Sequence, residues 1–326
     1  MLHANVGIDV SKDTLDVCLI LEGRKPKPFQ VENSSVGHKE LLEECSRLSP
    51  GAELGFCMEA TGTHHRALSR FLWQRGFLPA VMNPKRARDL SKGLGILHKN
   101  DKVDAFVLAQ MLKVCPPEKH PLKSALHERL QDLSRRIERL KRQALSEKKR
   151  FGNPSIAPEC SSSCLRSLEF LKNEIAVLET QWKDLMRKDE ELLMRYENLN
   201  SMFGVGPATA RVVLSETPLD LPKAGRKKLA GYAGVAPREN TSGKSVRKPS
   251  FVGKAGNKWL RCALYAASAS LILHDDDAQD LYHRLKERGR SHKQAMVAVA
   301  AKLARRIQAV LRRETPWQTD PPLDRR

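Results

Sequence analysis

The sequence predicts an α/β domain on a sheet of mixed direction, followed by a mainly helical remainder. Three observations predict this division. Strand-sized apolar runs alternate with helical segments through the first third, and apolar residues then recur in steps of three and four over two long stretches. The third observation is charge, because most of a net +19 falls in the last third. At 326 residues there is room for two compact domains and a connecting element.

Residues 1–115 form the first predicted domain. VGIDV is a short apolar run ending in an acid, and TLDVCLI can pair back beside it. PFQVEN is a third extended piece, and the stretch after Gly37 reads as a helix. ELGFCM is a buried-type strand, His64 to Gly76 a helix, FLPAVM a further strand and Asp101 to Lys113 a helix. Three early strands followed by alternating helices and strands predict a mixed sheet.

Residues 116–200 follow another period. Leu126, Leu130, Leu133, Ile137, Leu140 and Ala144 step 4-3-4-3-4. After FGNPSIAPECSSSC, read as a turn, Leu168, Leu171, Ile175, Leu178, Trp182 and Leu185 step 3-4-3-4-3, and the seam resumes at Leu192, Tyr196 and Leu199. This predicts a coiled-coil helical hairpin, its seam closing on itself or on another protomer. Residues 201–326 read as a third, basic helical domain. WLRCALYAASASLIL and KQAMVAVAAKLARRIQAVL are apolar helices supporting a basic loop from about Pro237 to Gly256.

Composition narrows the class. No apolar run is long enough for a transmembrane helix and no secretory signal opens the chain, so the expected location is the cytoplasm, at the nucleoid when acting, without a membrane partner. Seven cysteines lack a CxxC pair, which points to reduced thiols and away from zinc. Residues 1–111 carry net +2, residues 112–200 net +4 and residues 201–326 net +13. Between Lys223 and Arg261, eleven basic side chains face the single acid Glu239. Charge so concentrated, in a Gly-, Pro- and Ser-rich segment without amphipathic periodicity, reads as a nucleic-acid surface.

Two constellations carry chemistry. Asp9 ends the apolar part of the first strand, Glu59 follows ELGFCM directly, and Asp101 and Asp104 share one face at the start of a helix. RNase-H-like folds gather four carboxylates at one edge of a sheet in this chain order. Hard oxygen donors suit Mg²⁺ or Mn²⁺, and two such ions roughly 3.5–4 Å apart assist phosphoryl transfer. Taken singly, Asp9 could cap a turn, Asp101 a helix, and Glu59 could pair with a lysine. Asp13 and Asp16 read as surface residues beyond the strand end.

In the basic part, LNSMFGVGPATARVVLSE fits a helix-hairpin-helix-like motif. Gly204 and Gly206 bracket Val205, and exposed amides at the next helix start can hold a phosphate; a plain packing corner is the alternative. PRENTSGKSVRKPSFVGKAGNKWLR places Arg238, Lys244, Arg247, Lys248, Lys254 and Lys258 around Ser242. Those cations could stabilise a reacting phosphate. By residue chemistry alone Ser245 and Ser250 are equal candidates, and all three could be solvated loop residues.

GIDVSKDTLDV, MEATGTH, KNDKVDA, GVGPATA, LAGYAGVAPRENTSGKS and GNKWLRCALYAAS, in that order, resemble the bacterial insertion-sequence transposases with a RuvC-like DEDD domain and a C-terminal serine domain, the bridge-RNA-guided recombinases. The resemblance spans nearly the whole chain. It implies that Asp9, Glu59, Asp101 and Asp104 are catalytic metal ligands and that Ser242 is the nucleophile of a phosphoserine intermediate. It also implies donor and target DNA, a structured non-coding RNA and a homo-oligomer as partners. His64 departs from the Tyr common after EATG, and Asn100 from the Thr common before the acid pair. Competing readings are a hydrolytic junction-resolving nuclease, a non-enzymatic RNA-binding protein, and an actin-like sugar kinase. The basic helical second half lacks the repeated Asp-x-Gly turn that the kinase requires.

Overall fold

The computed structural model describes residues 2–60, 62–96, 100–114, 124–218, 220–225, 228–242, 246–252 and 256–318, with the backbone alone at 224, 237–242 and 246–252. The chain divides into two compact units, 1–122 and 123–326.

The first unit holds β1 (His3–Val10), β2 (Thr14–Leu21), β3 (Lys27–Glu32), α1 (Ser35–Leu48), β4 (Glu53–Glu59), α2 (His65–Trp73), β5 (Ala80–Met82), α3 (Pro84–Gly93) and α4 (Asp101–Val114). The sheet runs β3-β2-β1-β4-β5, with the β1–β2 and β2–β3 pairs antiparallel and the β1–β4 and β4–β5 pairs parallel. Period-2 alternation sorts the strand residues into two layers. Val6, Ile8, Val10, Leu15, Val17, Leu19, Phe56 and Met58 pack with Leu41 of α1 and Leu68 and Leu72 of α2. On the other face Cys18 and Ile20 pack with Ala105 and Ala109 of α4, while Cys57, Ala80 and Met82 pack with Leu108 and Met111.

Several expectations need correction. Helix α1 begins before Gly37, because Ser34 caps it by accepting from the Gly37 amide. FLPAVM is a strand only over its last three residues. Helix α3 is not among the expected elements, although Asn83 caps it and Pro84 opens it. Asp16 is not a surface residue: it lies inside β2 and is 7% exposed.

The second unit holds α5 (Ala125–Phe151), α6 (Pro158–Met186), α7 (Glu190–Asn200), α8 (Pro207–Glu216), a 3-10 turn (Leu221–Ala224), α9 (Lys228–Ala233), β6 (Pro237–Ser242), β7 (Val246–Val252), α10 (Lys258–His274), α11 (Asp276–Glu287) and α12 (His292–Arg313). The turn between α5 and α6 is shorter than expected. ECSSSC is helical because Pro158, at the first helical position, has no amide to leave unpaired. Seam residues Leu130, Ile137, Trp182 and Leu185 share one core with Val213 of α8, Leu264 of α10 and Ile307 of α12. The hairpin and the helices after it thus bury apolar surface together. The basic segment is not a plain loop. Residues Pro237–Ser242 and Val246–Val252 pair as an antiparallel ribbon, with an irregularity between Arg238 and Asn240.

Candidate active site

The sheet register explains how acids far apart in sequence collect at one place. Even-numbered β1 residues face α1 and α2, so Asn5, Gly7 and Asp9 face α4. Asp9 lies directly opposite Asp16 on β2. Ile8 lies opposite Met58, which sets Glu59 one step further on the neighbouring strand. Helix α4 closes over that face only because residue 7 is glycine. A Cβ there would stand 2.0 Å from the Ala105 carbonyl oxygen and 2.2 Å from the Ala109 amide nitrogen. That close approach brings the α4 N-terminus, with Asp101 and Asp104 in its first turn, toward Asp9. Asn100 caps the helix, its side chain accepting from the Val103 amide at 2.8 Å. Asp101 is therefore not needed as the cap, and Asn100 fills the capping role that Thr, common at that position in the family this chain resembles, can also fill.

Electrostatics show the crowding directly. The Asp9 carboxyl is pushed up to about 6, first by burial and then by the negative charges of Asp104, Asp101, Glu59 and Asp16. Four of these five are the acids singled out in the sequence. Asp16 was missed, and its carboxylate is held by the Gln30 side-chain amide at 3.1 and 3.2 Å. Among the described residues no three metal-ligating side chains converge tightly enough to hold an ion as they stand. The donor set nonetheless fits a hard divalent cation, since carboxylate oxygens crowded this way lose their mutual repulsion when one binds.

A second support was also missed. Asn33 donates to the Ser11 carbonyl at 2.9 Å and the His64 carbonyl at 3.4 Å, and its Oδ1 meets His38 Nε2 at 2.9 Å. It ties the turn after Asp9 to the segment after Glu59. His38 is buried against Phe71, and burial pushes its pKa down, so the ring is neutral at pH 7.

In the second unit Ser242 is the last residue of β6, paired with Val246. Arg238, Arg247 and Lys248 lie on the ribbon backbone, while Lys244, Ser245 and Lys254 fall outside the described residues. The ribbon's two ends meet. Gly256 packs on Gly234 so closely that a Cβ on Gly256 would meet the Gly234 amide nitrogen at 2.3 Å. The Asn257 amide donates to the Tyr232 carbonyl at 2.8 Å. The Asn257 side chain donates to Glu216 at 2.7 Å, and Glu216, 0% exposed, also accepts from Arg135 at 2.6 and 2.9 Å and from Gln131 at 3.1 Å. Gly204 (φ +78°) packs on α10, where a Cβ would meet that of Leu271 at 2.8 Å. Gly206 precedes Pro207 of α8, exposed and with no side chain capping the helix.

The first unit thus offers carboxylates gathered on the α4 face of a mixed five-stranded sheet, and the second a mainly helical part that carries a two-stranded ribbon. Residues 6–153 match a family model described as transposase, the DEDD transposase of IS110, and residues 196–283 match one described as transposase IS116/IS110/IS902 family. The pilin gene-inverting proteins of Moraxella bovis and Moraxella lacunata are each 30% identical to this chain over 320 residues, covering 97% of it and 98% of the relative. The insertion element IS110 uncharacterized 43.6 kDa protein of Streptomyces coelicolor is 32% identical over 126 residues, 38% of this chain and 30% of the relative. The chain belongs to the IS110 family of insertion-sequence transposases, and is a DNA recombinase.

Proposed function

We infer that this recombinase excises and inserts a mobile element through a phosphoserine intermediate, with a structured non-coding RNA as guide. The observation that carries the catalytic half is the register that sets Asp9 opposite Asp16 and beside the strand ending in Glu59, under the start of α4 that bears Asp101 and Asp104. Asp9, Glu59, Asp101 and Asp104 are the residues that would hold Mg²⁺ or Mn²⁺. Bound there, the ions would stabilise the attacking and leaving oxygens of phosphoryl transfer.

Ser242 supplies the nucleophile. Its Oγ forms a bond to phosphorus while the bond to a deoxyribose oxygen breaks, and the released sugar hydroxyl takes up the proton that the serine gives up. The reverse step rejoins DNA without outside energy, because the phosphodiester has been exchanged and not hydrolysed. The two Moraxella relatives are named for inverting a gene, and inversion requires cut ends to be rejoined. That favours a covalent route over hydrolysis. Gly204, Gly206, Arg238, Lys244, Arg247, Lys248, Lys254 and Lys258 are the proposed nucleic-acid contacts. The exposed amide end of α8 supports a phosphate contact at the helix-hairpin-helix-like corner.

Helices α5 and α6 are read as a coiled-coil hairpin that contributes to a homo-oligomer. Exposed Leu145, Phe151, Leu165, Phe170 and Val177 on it support that reading. No helix among the described residues is long and apolar enough to cross a membrane. The test is recombination between two DNA sites by purified protein with its co-purifying RNA. Activity should require Mg²⁺ or Mn²⁺ and vanish in Asp9→Asn, Asp104→Asn and Ser242→Ala. Activity in excess chelator, or in RNase-treated protein without added RNA, would overturn the corresponding part.

A further inference from the structure

Three cations gather over one indole at the foot of the ribbon. The guanidinium of Arg142 stands 4.3 Å from the centre of the Trp259 ring, the Lys258 ammonium 5.0 Å and the Arg139 guanidinium 6.0 Å. Trp259 is only 8% exposed, whereas Arg139, Arg142 and Lys258 are all exposed. The aromatic surface is thus roofed by charged groups that remain in water.

Arg135, on the same stripe of α5, gives the contrast. It is held in a two-point pair by buried Glu216. Among the described residues no carboxylate pairs with Arg139, Arg142 or Lys258 in the same way. The stripe Arg135, Arg139, Arg142, Ser146 and Lys149, stepping 4-3-4-3, contains no acid at all. One cation would satisfy the face of an indole. Three on one ring repel each other, and the second unit spends a buried acid on Arg135 but none on them. A polyanion laid along the stripe relieves that repulsion, and the planar guanidinium forks suit phosphate oxygens.

The position adds meaning. Lys258 opens α10, whose cap Asn257 is hydrogen-bonded to Glu216 and to the Tyr232 carbonyl at the closed base of the ribbon. Val252, the end of β7, lies six residues before Lys258. The geometry points to a phosphate-backbone contact site made by Arg139 and Arg142 of the helical hairpin with Lys258, set on Trp259. It holds the sugar-phosphate chain of a nucleic acid at the foot of the ribbon that carries Ser242. The inference rests on the transposase reading only in taking nucleic acid as the ligand, and is independent of which residue attacks phosphorus.

The test is equilibrium binding by the full chain without divalent metal, as a function of salt, to a duplex DNA probe and separately to a folded RNA hairpin. Arg139→Gln with Arg142→Gln should lower the log–log salt slope on duplex DNA by about 1.8, at about 0.9 for each phosphate that is no longer neutralised. Arg139→Lys with Arg142→Lys should retain most of the slope. Arg166→Gln with Lys172→Gln, removing equal charge from exposed positions on α6, should leave it unchanged. A slope lowered on DNA alone or on RNA alone supports the site and names its ligand. An unchanged slope on both probes overturns it, as does an equal loss in the α6 control. Because no strand is cut, a wrong assignment of Ser242 leaves these readings untouched.

Discussion

The acidic edge of the first unit and the ribbon foot of the second both crowd like charge, but the chain relieves them differently. At the acidic edge the Asp9 carboxyl is pushed up to about 6, first by burial and then by the charges of Asp104, Asp101, Glu59 and Asp16. Backbone register and one glycine hold them there, through β1 between β2 and β4 and through α4 pressed on Gly7. At the ribbon foot, an interior carboxylate from α8 compensates Arg135 and binds Asn257, linking α5, α8 and α10 through side-chain hydrogen bonds. Like charge gathered at a sheet edge suits a ligand of opposite sign, and charge paired in the interior marks a brace.

The largest expected effect breaks the brace. Glu216→Ala leaves Arg135, whose side chain is 30% exposed, and the Asn257 amide without their acceptor. Stability should fall by about 3 kcal/mol, the low end for a broken buried pair because Arg135 keeps some water. Urea denaturation measures this, and a loss below about 0.5 kcal/mol would show that the network holds little. Next comes Gly7→Ala. The added methyl meets backbone on α4, so the helix must shift, at about 2 kcal/mol for overpacking. Recombination should drop more than tenfold, because Asp101 and Asp104 travel with that helix. A variant with unchanged stability and activity would contradict the close packing.

The smallest effect sharpens the comparison by its sign. A carboxyl raised to about 6 when folded favours the folded state below its ordinary pKa near 3.8, and that contribution is lost as pH rises through 6. Asp9→Asn removes the charged form altogether. The metal-free variant should be more stable than the parent by about 1 kcal/mol at pH 8, after discounting for solvent screening, while losing activity. The gain should disappear at pH 4. Added Mg²⁺ should raise the parent's melting temperature more than the variant's. Equal melting curves at pH 8 would contradict the crowding.

The four acids were legible because each stands at the boundary of a locally encoded element, two at strand ends and two at a helix start. Asp16 was not. It sits inside TLDVCLI, where apolar residues fill both faces of β2, so no alternation marks which way the acid points. Its signal was the acid itself within an unbroken apolar run. Helix α3 was missed because KRARDLSK has almost no apolar face, although Asn-Pro before it is a start signal. The ribbon read as loop because RENTS and VRKPSFV lack alternating hydrophobicity, and its ends are closed by Gly234 against Gly256, partners distant in sequence. The Glu216 network, joining residues more than eighty positions apart, leaves no local pattern at all.

The covalent link proposed at Ser242 is open to direct capture. Labelled DNA carrying the recombination site, incubated with protein, RNA and Mg²⁺, is run on a denaturing gel, and the adduct is digested and mapped. A phosphoserine at Ser242 is expected, absent in Ser242→Ala and retained in Ser245→Ala and Ser250→Ala. An adduct surviving in Ser242→Ala would show that another residue attacks. Cleaved DNA with no adduct at any time point would assign the cutting to water at the carboxylates.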